Sequence, residues 1–145
     1  MRFLMPAIVL ASLAAASCSS SDDEQIWSTE AGLCVDEINR YRATEGLAAL
    51  ARWTDVEGCA NAQARSDSET GNAHGAFGRC GERAQNECPG WRGTPSTVIV
   101  DCLRSMWNEG PGGGHHDNMA GSSQRAACGF YVTPAGRVWA VQDFR

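Results

Sequence analysis

Apolar side chains recur at helical spacing in three stretches of the chain and at alternate positions near its end. Cys34, Ile38 and Tyr41 form one stripe, predicting a helix over about residues 29–43, with Gly46 just past its end to turn the chain. Val56, Cys59, Ala60 and Ala64 share the face of a second helix, and its alanines permit close approach of a neighbour. Thr54-Asp55-Val56-Glu57 reads as the capping box that opens it. Thr94 as N-cap and Pro95 at the first helical position start a third helix with Ile99, Cys102, Leu103 and Met106 on its apolar stripe. Gly110 and Pro111 stop it. The glycines that follow form a loop rather than a phosphate cradle, since no Gly-Lys-Ser/Thr completes one. Residues 126–132 and 137–144 read as two strands around the turn Thr133-Pro134-Ala135-Gly136. Helices first and a hairpin last predict an α+β domain.

The N-terminal residues follow a different pattern. Arg2 precedes a mostly apolar, alanine-rich run too short to span a bilayer comfortably, as in an export signal. Ala15-Ala16-Ser17 leads into Cys18 and resembles the processing site of bacterial lipoproteins, in which that cysteine is acylated; Ala15 stands where leucine is usual. The expected organisation is a signal peptide over residues 1–17, a lipid-anchored polar tether over 18–26 and one domain over 27–145. Simple secretion is the alternative. The expected location is the bacterial cell envelope, held to the membrane through the anchor.

Setting Cys18 aside leaves Cys34, Cys59, Cys80, Cys88, Cys102 and Cys128, an even set that suits three disulfides in an exported chain. Sequence alone does not choose their pairing. Local proximity favours Cys80 with Cys88, which leaves Cys102 to join Cys128 and Cys34 to join Cys59. No Cys-x-x-Cys pair suggests a structural zinc site.

Charge narrows the function further. The 145 residues carry a net charge of −5, and all 12 basic side chains are arginine. The absence of lysine excludes a phosphate-gripping or Schiff-base lysine. The arginines are scattered in sequence, so no basic patch is expected, and the acidic balance argues against a nucleic-acid partner.

The stretch from Cys34 to Leu50 carries Asn39, Arg42, Gly46-Leu47 and Leu50, followed by Trp53. It is similar to the opening of the CAP superfamily (the SCP domain of cysteine-rich secretory, antigen 5 and pathogenesis-related proteins). His74 after the second helix fits the same pattern. Met106-Trp107-Asn108-Glu109 resembles the family's W-x-x-E motif, and Gly114-His115-His116-Asp117-Asn118 its G-H-Y-T-Q motif. Ala127-Cys128 resembles its Gly-Cys strand. The resemblance covers about residues 27–144. It implies an α-β-α sandwich, a small antiparallel sheet between helix layers tied by disulfides. It also implies a cleft lined by His74, Glu109, His115 and one further glutamate. For that slot Gly81-Glu82-Arg83 keeps the carboxylate, while Ala84-Gln85-Asn86 keeps the neighbouring asparagine; Glu82 is the expected occupant and Gln85 its competitor.

Two imidazoles and two carboxylates in one cleft can hold a divalent metal such as zinc, act as an acid/base pair, or lock loops together. The metal reading rests on His74 and His115, and no cofactor is required by the others. The hydrolytic reading lacks a nucleophile: there is no Gly-x-Ser-x-Gly turn, and Ser122-Ser123 sit in a turn. His116-Asp117 reads as an exposed rim. Trp53, Trp107 and Trp139 read as core or cleft wall. The expected function is therefore an extracytoplasmic binding module for a small hydrophobic molecule or a protein partner. A metal-dependent hydrolase using His74, Glu82, Glu109 and His115 is one alternative, and a purely structural envelope protein is another. The anchoring expectation has a direct check: Cys18→Ala should move the protein from the membrane fraction to the soluble fraction, since two or more acyl chains give the stable anchoring that one barely reaches.

Overall fold

The computed structural model describes residues 27–145; the leader, Cys18 and the tether all lie outside the described residues. In chain order the elements are α1 (Ser28–Thr44), β1 (Ala51–Arg52), a 3-10 turn (Thr54–Val56), α2 (Glu57–Thr70), β2 (Ala84–Arg92), α3 (Pro95–Trp107), α4 (Gly114–Ala120), β3 (Arg125–Val132) and β4 (Arg137–Phe144). The strands form one sheet in the order β1-β3-β4-β2. β4 pairs antiparallel with both β2 and β3, but β1 runs parallel to β3. The sheet is therefore mixed; the expected antiparallel pattern holds for three of its strands.

Successive strand residues face opposite sides, and β3 shows what each side meets. Cys128 is bonded to Cys34 on α1. Its neighbour Gly129 faces α2. Helices thus cover both faces, which is the α-β-α sandwich. The α1 and α3 side is apolar, built from Ile38, Ile99, Leu103, Met119, Phe130 and Phe144, each at most 1% exposed. The α2 side differs: Gln63, Asp67, Gln85, Glu87 and Asp143 are buried in it.

Local chemistry explains most element boundaries. Thr94 caps α3 with its hydroxyl on the Thr97 N–H, and the Thr97 hydroxyl answers the Thr94 N–H, with Pro95 in the first turn. The box expected at Thr54 does not form. Glu57 instead turns to Arg52, whose Nε and Nη2 donate to it at 2.6 and 2.9 Å, and the chain enters α2 through the 3-10 turn. α3 ends at Trp107, so Glu109 stands beyond its C-cap, Asn108. Two elements carry weak sequence signals. β2 is polar on both faces and broken by a bulge between Cys88 and Trp91, around Pro89-Gly90. α4 opens from the glycine loop and is seven residues long.

The six cysteines pair, but in another pattern: Cys34–Cys128, Cys59–Cys80 and Cys88–Cys102. All three sequence-based pairings are corrected, and the layering gives the reason. The sheet stands between Cys34 on α1 and Cys59 on α2. Cys80 lies on the connection after α2, whereas Cys88 points from β2 into the apolar layer, where Cys102 of α3 meets it.

Among the glycines, the tightest approach of neighbouring backbone is at Gly129. A Cβ built there would come within 2.1 Å of the Ala60 carbonyl carbon and 2.3 Å of the Asn61 nitrogen, both backbone. Backbone cannot swing aside as a flexible side chain can. Gly129→Ala should therefore cost about 3 kcal/mol or more in urea unfolding, at the upper end of overpacking effects, because α2 must lift from β3.

Candidate functional site

α2 ends at Gly71, in the left-handed region at φ 65°, and the chain then loops to β2. Two buried carboxylates hold this connection. Glu82 accepts from the Gly78 N–H, from the Cys80 N–H at 2.9 Å and from Gln63 Nε2 at 2.6 Å. Glu87 accepts from the His74 N–H at 2.6 Å. Between these anchors His74 has a positive φ of 60°, uncommon for a residue with a side chain, and its side chain is 42% exposed. The loop sets that imidazole at the surface on a rigid base.

His74 Nδ1 lies 2.9 Å from Gln85 Oε1. Gln85 also donates to Asp143 Oδ1 at 2.9 Å and to Gln63 at 3.3 Å. Two side chains from β2 thus face His74: Gln85, and Glu87, whose Oε2 lies 3.9 Å from His74 Nδ1. Glu82, the sequence-based choice for that slot, has its oxygens on the loop N–H groups and on Gln63. Asn86 is fully buried and donates to the His115 carbonyl at 3.0 Å, while Asn118 Nδ2 reaches Asn86 Oδ1 at 2.9 Å.

Glu109 and His115 meet directly. Glu109 Oε1 lies 2.6 Å from His115 Nδ1, and Oε2 accepts the His115 N–H at 3.2 Å. This hydrogen bonding holds the Glu109 carboxyl below its ordinary range. Both side chains are more than a third exposed. The structure therefore forms two surface pairs, His74 with Gln85 and Glu109 with His115, connected by the adjacent residues Gln85 and Asn86. Among the described residues, the one group of three candidate metal ligands within 4.8 Å is Cys80, Glu82 and Asp143, and Cys80 is in a disulfide. Neither histidine belongs to a cage that tight.

His116 departs from the expected rim. It is 3% exposed, its ring 4.3 Å from the Trp107 ring, which in turn stacks on Tyr41 at 5.4 Å. Its Nε2 lies 3.2 Å from Glu45 Oε1. Trp53 is buried, and Trp107 and Trp139 are half-buried. Trp91 packs against the core beside the β2 bulge.

Beneath His74 lies a set of acids that sequence reasoning missed, since they are scattered over α2, β2 and β4. Asp67 and Asp143 are fully buried and Glu87 nearly so. Both Asp67 oxygens, Glu87 Oε1 and Asp143 Oδ2 have no hydrogen-bond partner among the described residues. Burial pushes the Glu87 carboxyl up to about 7, opposed by the His74 N–H and reinforced by Asp67. Burial also pushes Asp143 up to about 7, opposed by Gln85 and reinforced by Glu82 and Glu87. A raised carboxyl holds its proton in the folded state after the unfolded chain has released it. Stability is then greatest at and below the ordinary carboxylate range and falls as pH rises to the raised value. The urea midpoint should drop between about pH 4 and about pH 7, by on the order of 1–3 kcal/mol in stability. Asp143→Asn, which keeps an acceptor for Gln85, should flatten that slope.

A search of the curated proteins found no match. The family model described as CAP, the Cysteine-rich secretory protein family, matches residues 35–144. That span runs from within α1 to the last residue of β4 and takes in His74, Gln85, Glu109 and His115. The chain belongs to the CAP family of cysteine-rich secretory proteins.

Proposed function

We propose that this CAP domain is an extracytoplasmic binding module whose ligand has an apolar part and a polar head. One observation carries the reading. Phe77 is 48% exposed, the large hydrophobic side chain left at the surface among the described residues, and it stands three residues from His74 on the same anchored loop. The Phe77 N–H donates to the His74 carbonyl at 3.2 Å. Holding an aromatic ring in water three residues from a solvent-exposed imidazole does nothing for the core, but it suits a ligand that covers the ring and meets the imidazole. The extracytoplasmic part of the reading is supported by three disulfides, which persist in oxidising compartments. Among the described residues no helix is long and apolar enough to cross a membrane, so membrane attachment on this reading rests on the Cys18 anchor.

The metal-dependent hydrolase is the second reading, and the Glu109–His115 pair is what favours it. A carboxylate on one ring nitrogen is the usual way to orient a histidine whose other nitrogen binds metal. His115 has Nδ1 engaged in this way by Glu109, while His74 has Nδ1 engaged by the Gln85 amide oxygen. Two imidazoles fit an open metal site and not a closed one. A metal held there would supply an activated water; these residues' own part would be to orient the imidazoles. The six disulfide cysteines offer no thiol nucleophile.

Native mass spectrometry of the purified protein separates the readings. Binding predicts a co-purifying apolar molecule that is lost in Phe77→Ser, with the thermal midpoint unchanged. Hydrolysis predicts bound metal and an activity lost on chelation and restored by zinc. A protein carrying neither, with Phe77→Ser indistinguishable in every respect, would leave the structural envelope role standing.

A further inference from the structure

The arginines that look scattered in sequence converge at one end of the sheet. Arg125 at the start of β3 and Arg145 just after β4 face each other as a hydrogen-bonded pair. Each N–H donates to the other's carbonyl, at 2.9 and 3.0 Å. Arg83 immediately precedes β2, whose first residue pairs with Phe144, and its own N–H donates to the Phe144 carbonyl. Three strands therefore deliver three guanidinium groups to one edge. With Ser122, Ser123 and Gln124 they line a groove of about 710 Å³.

Ion pairing gives no reason for this arrangement. Like charges directly opposite on neighbouring strands are unfavourable. Among the described residues no carboxylate forms an ion pair with Arg83, Arg125 or Arg145, as is true of Arg42, Arg79, Arg92 and Arg137, but these three share one groove. Arg125 stacks over the buried Trp53 ring at 4.3 Å, which fixes its orientation. Arg145 donates to the Gly81 carbonyl at 2.8 Å. Each of these contacts positions a guanidinium and leaves its charge uncompensated. Arg83 is exposed and makes no ion pair among the described residues.

We propose that the groove between Arg83, Arg125 and Arg145 binds a phosphate group, with the Ser122 and Ser123 hydroxyls completing the set of donors. Planar guanidinium forks match phosphate oxygens, and two or three of them together suit a multiply charged group. The overall charge of −5 opposes a long polyanion, so the ligand is a compact phosphate ester, either free or presented as a lipid headgroup.

The test uses the full chain with Cys18→Ala, so that no acyl anchor contributes. One arm titrates tripolyphosphate by calorimetry. The other measures co-sedimentation with phosphatidylcholine vesicles with and without phosphatidylglycerol. Saturable tripolyphosphate binding is expected, weaker by about tenfold or more in Arg83→Gln and in Arg125→Gln, as loss of a charge-assisted contact predicts. Arg83→Lys should bind between the two. The thermal midpoint of Arg83→Gln should hold or rise, since a repulsion is removed; a purely structural arginine would lower it. Vesicle binding that needs phosphatidylglycerol and is displaced by tripolyphosphate identifies the headgroup as the source. Tripolyphosphate binding without vesicle binding identifies a soluble ester. Binding of neither probe, or equal binding by wild type, Arg83→Gln and Arg125→Gln, overturns the proposal.

Discussion

The near-contact of two backbones, α2 at Ala60 and β3 at Gly129, is the constraint on which the polar half of this domain depends. Gly129 has no side chain and Ala60 has a minimal one, so helix and sheet meet without an apolar cushion between them. Along α2 from that point, Gln63 and Asp67 descend onto the polar residues of β2 and β4. Asn61, beside Ala60, accepts the Phe130 N–H at 2.7 Å. An ordinary apolar layer would hold the helix further off and leave no hydrogen-bonding distance between Gln63, Gln85 and Glu82.

The two faces of the sheet thus do different work. The α1 and α3 side supplies apolar burial, the main favourable term in folding. The α2 side supplies direction: buried carboxylates receive loop N–H groups and set the 72–80 connection in one conformation. Buried acids are an unfavourable choice for stability alone. Here they hold one loop that carries both His74, at a positive φ, and the exposed Phe77.

What the sequence revealed follows the same division. Helical stripes on the apolar side were legible, and α1, α3, β3 and β4 lie where Ile38, Ile99, Leu103 and the alternation around Trp139 place them. β2 was not legible, because Gln85, Asn86 and Glu87 carry no hydrophobic period; their burial is a property of α2 and α4 arriving against them. The Glu109–His115 pair could be anticipated from its motif. That Gln85 and not Glu82 reaches His74 required the register of a strand that polarity had hidden. The cysteine pairs were missed because nearness in sequence says nothing about which face of a sheet a side chain occupies.

The disulfides also set an order of events. Cys59–Cys80 and Cys88–Cys102 close rings of 21 and 14 residues' separation, side by side within the 94-residue span that Cys34–Cys128 encloses. The covalent graph is nested and uncrossed. When such a chain enters an oxidising compartment amino end first, Cys34 and Cys59 stand together there before either correct partner has arrived. The first bond available is a wrong one, and it would tether two helices that must end on opposite faces of the sheet. Where that bond forms, native closure requires thiol–disulfide exchange, in which a thiolate attacks the mispaired bond and frees Cys34 to wait for the last strands.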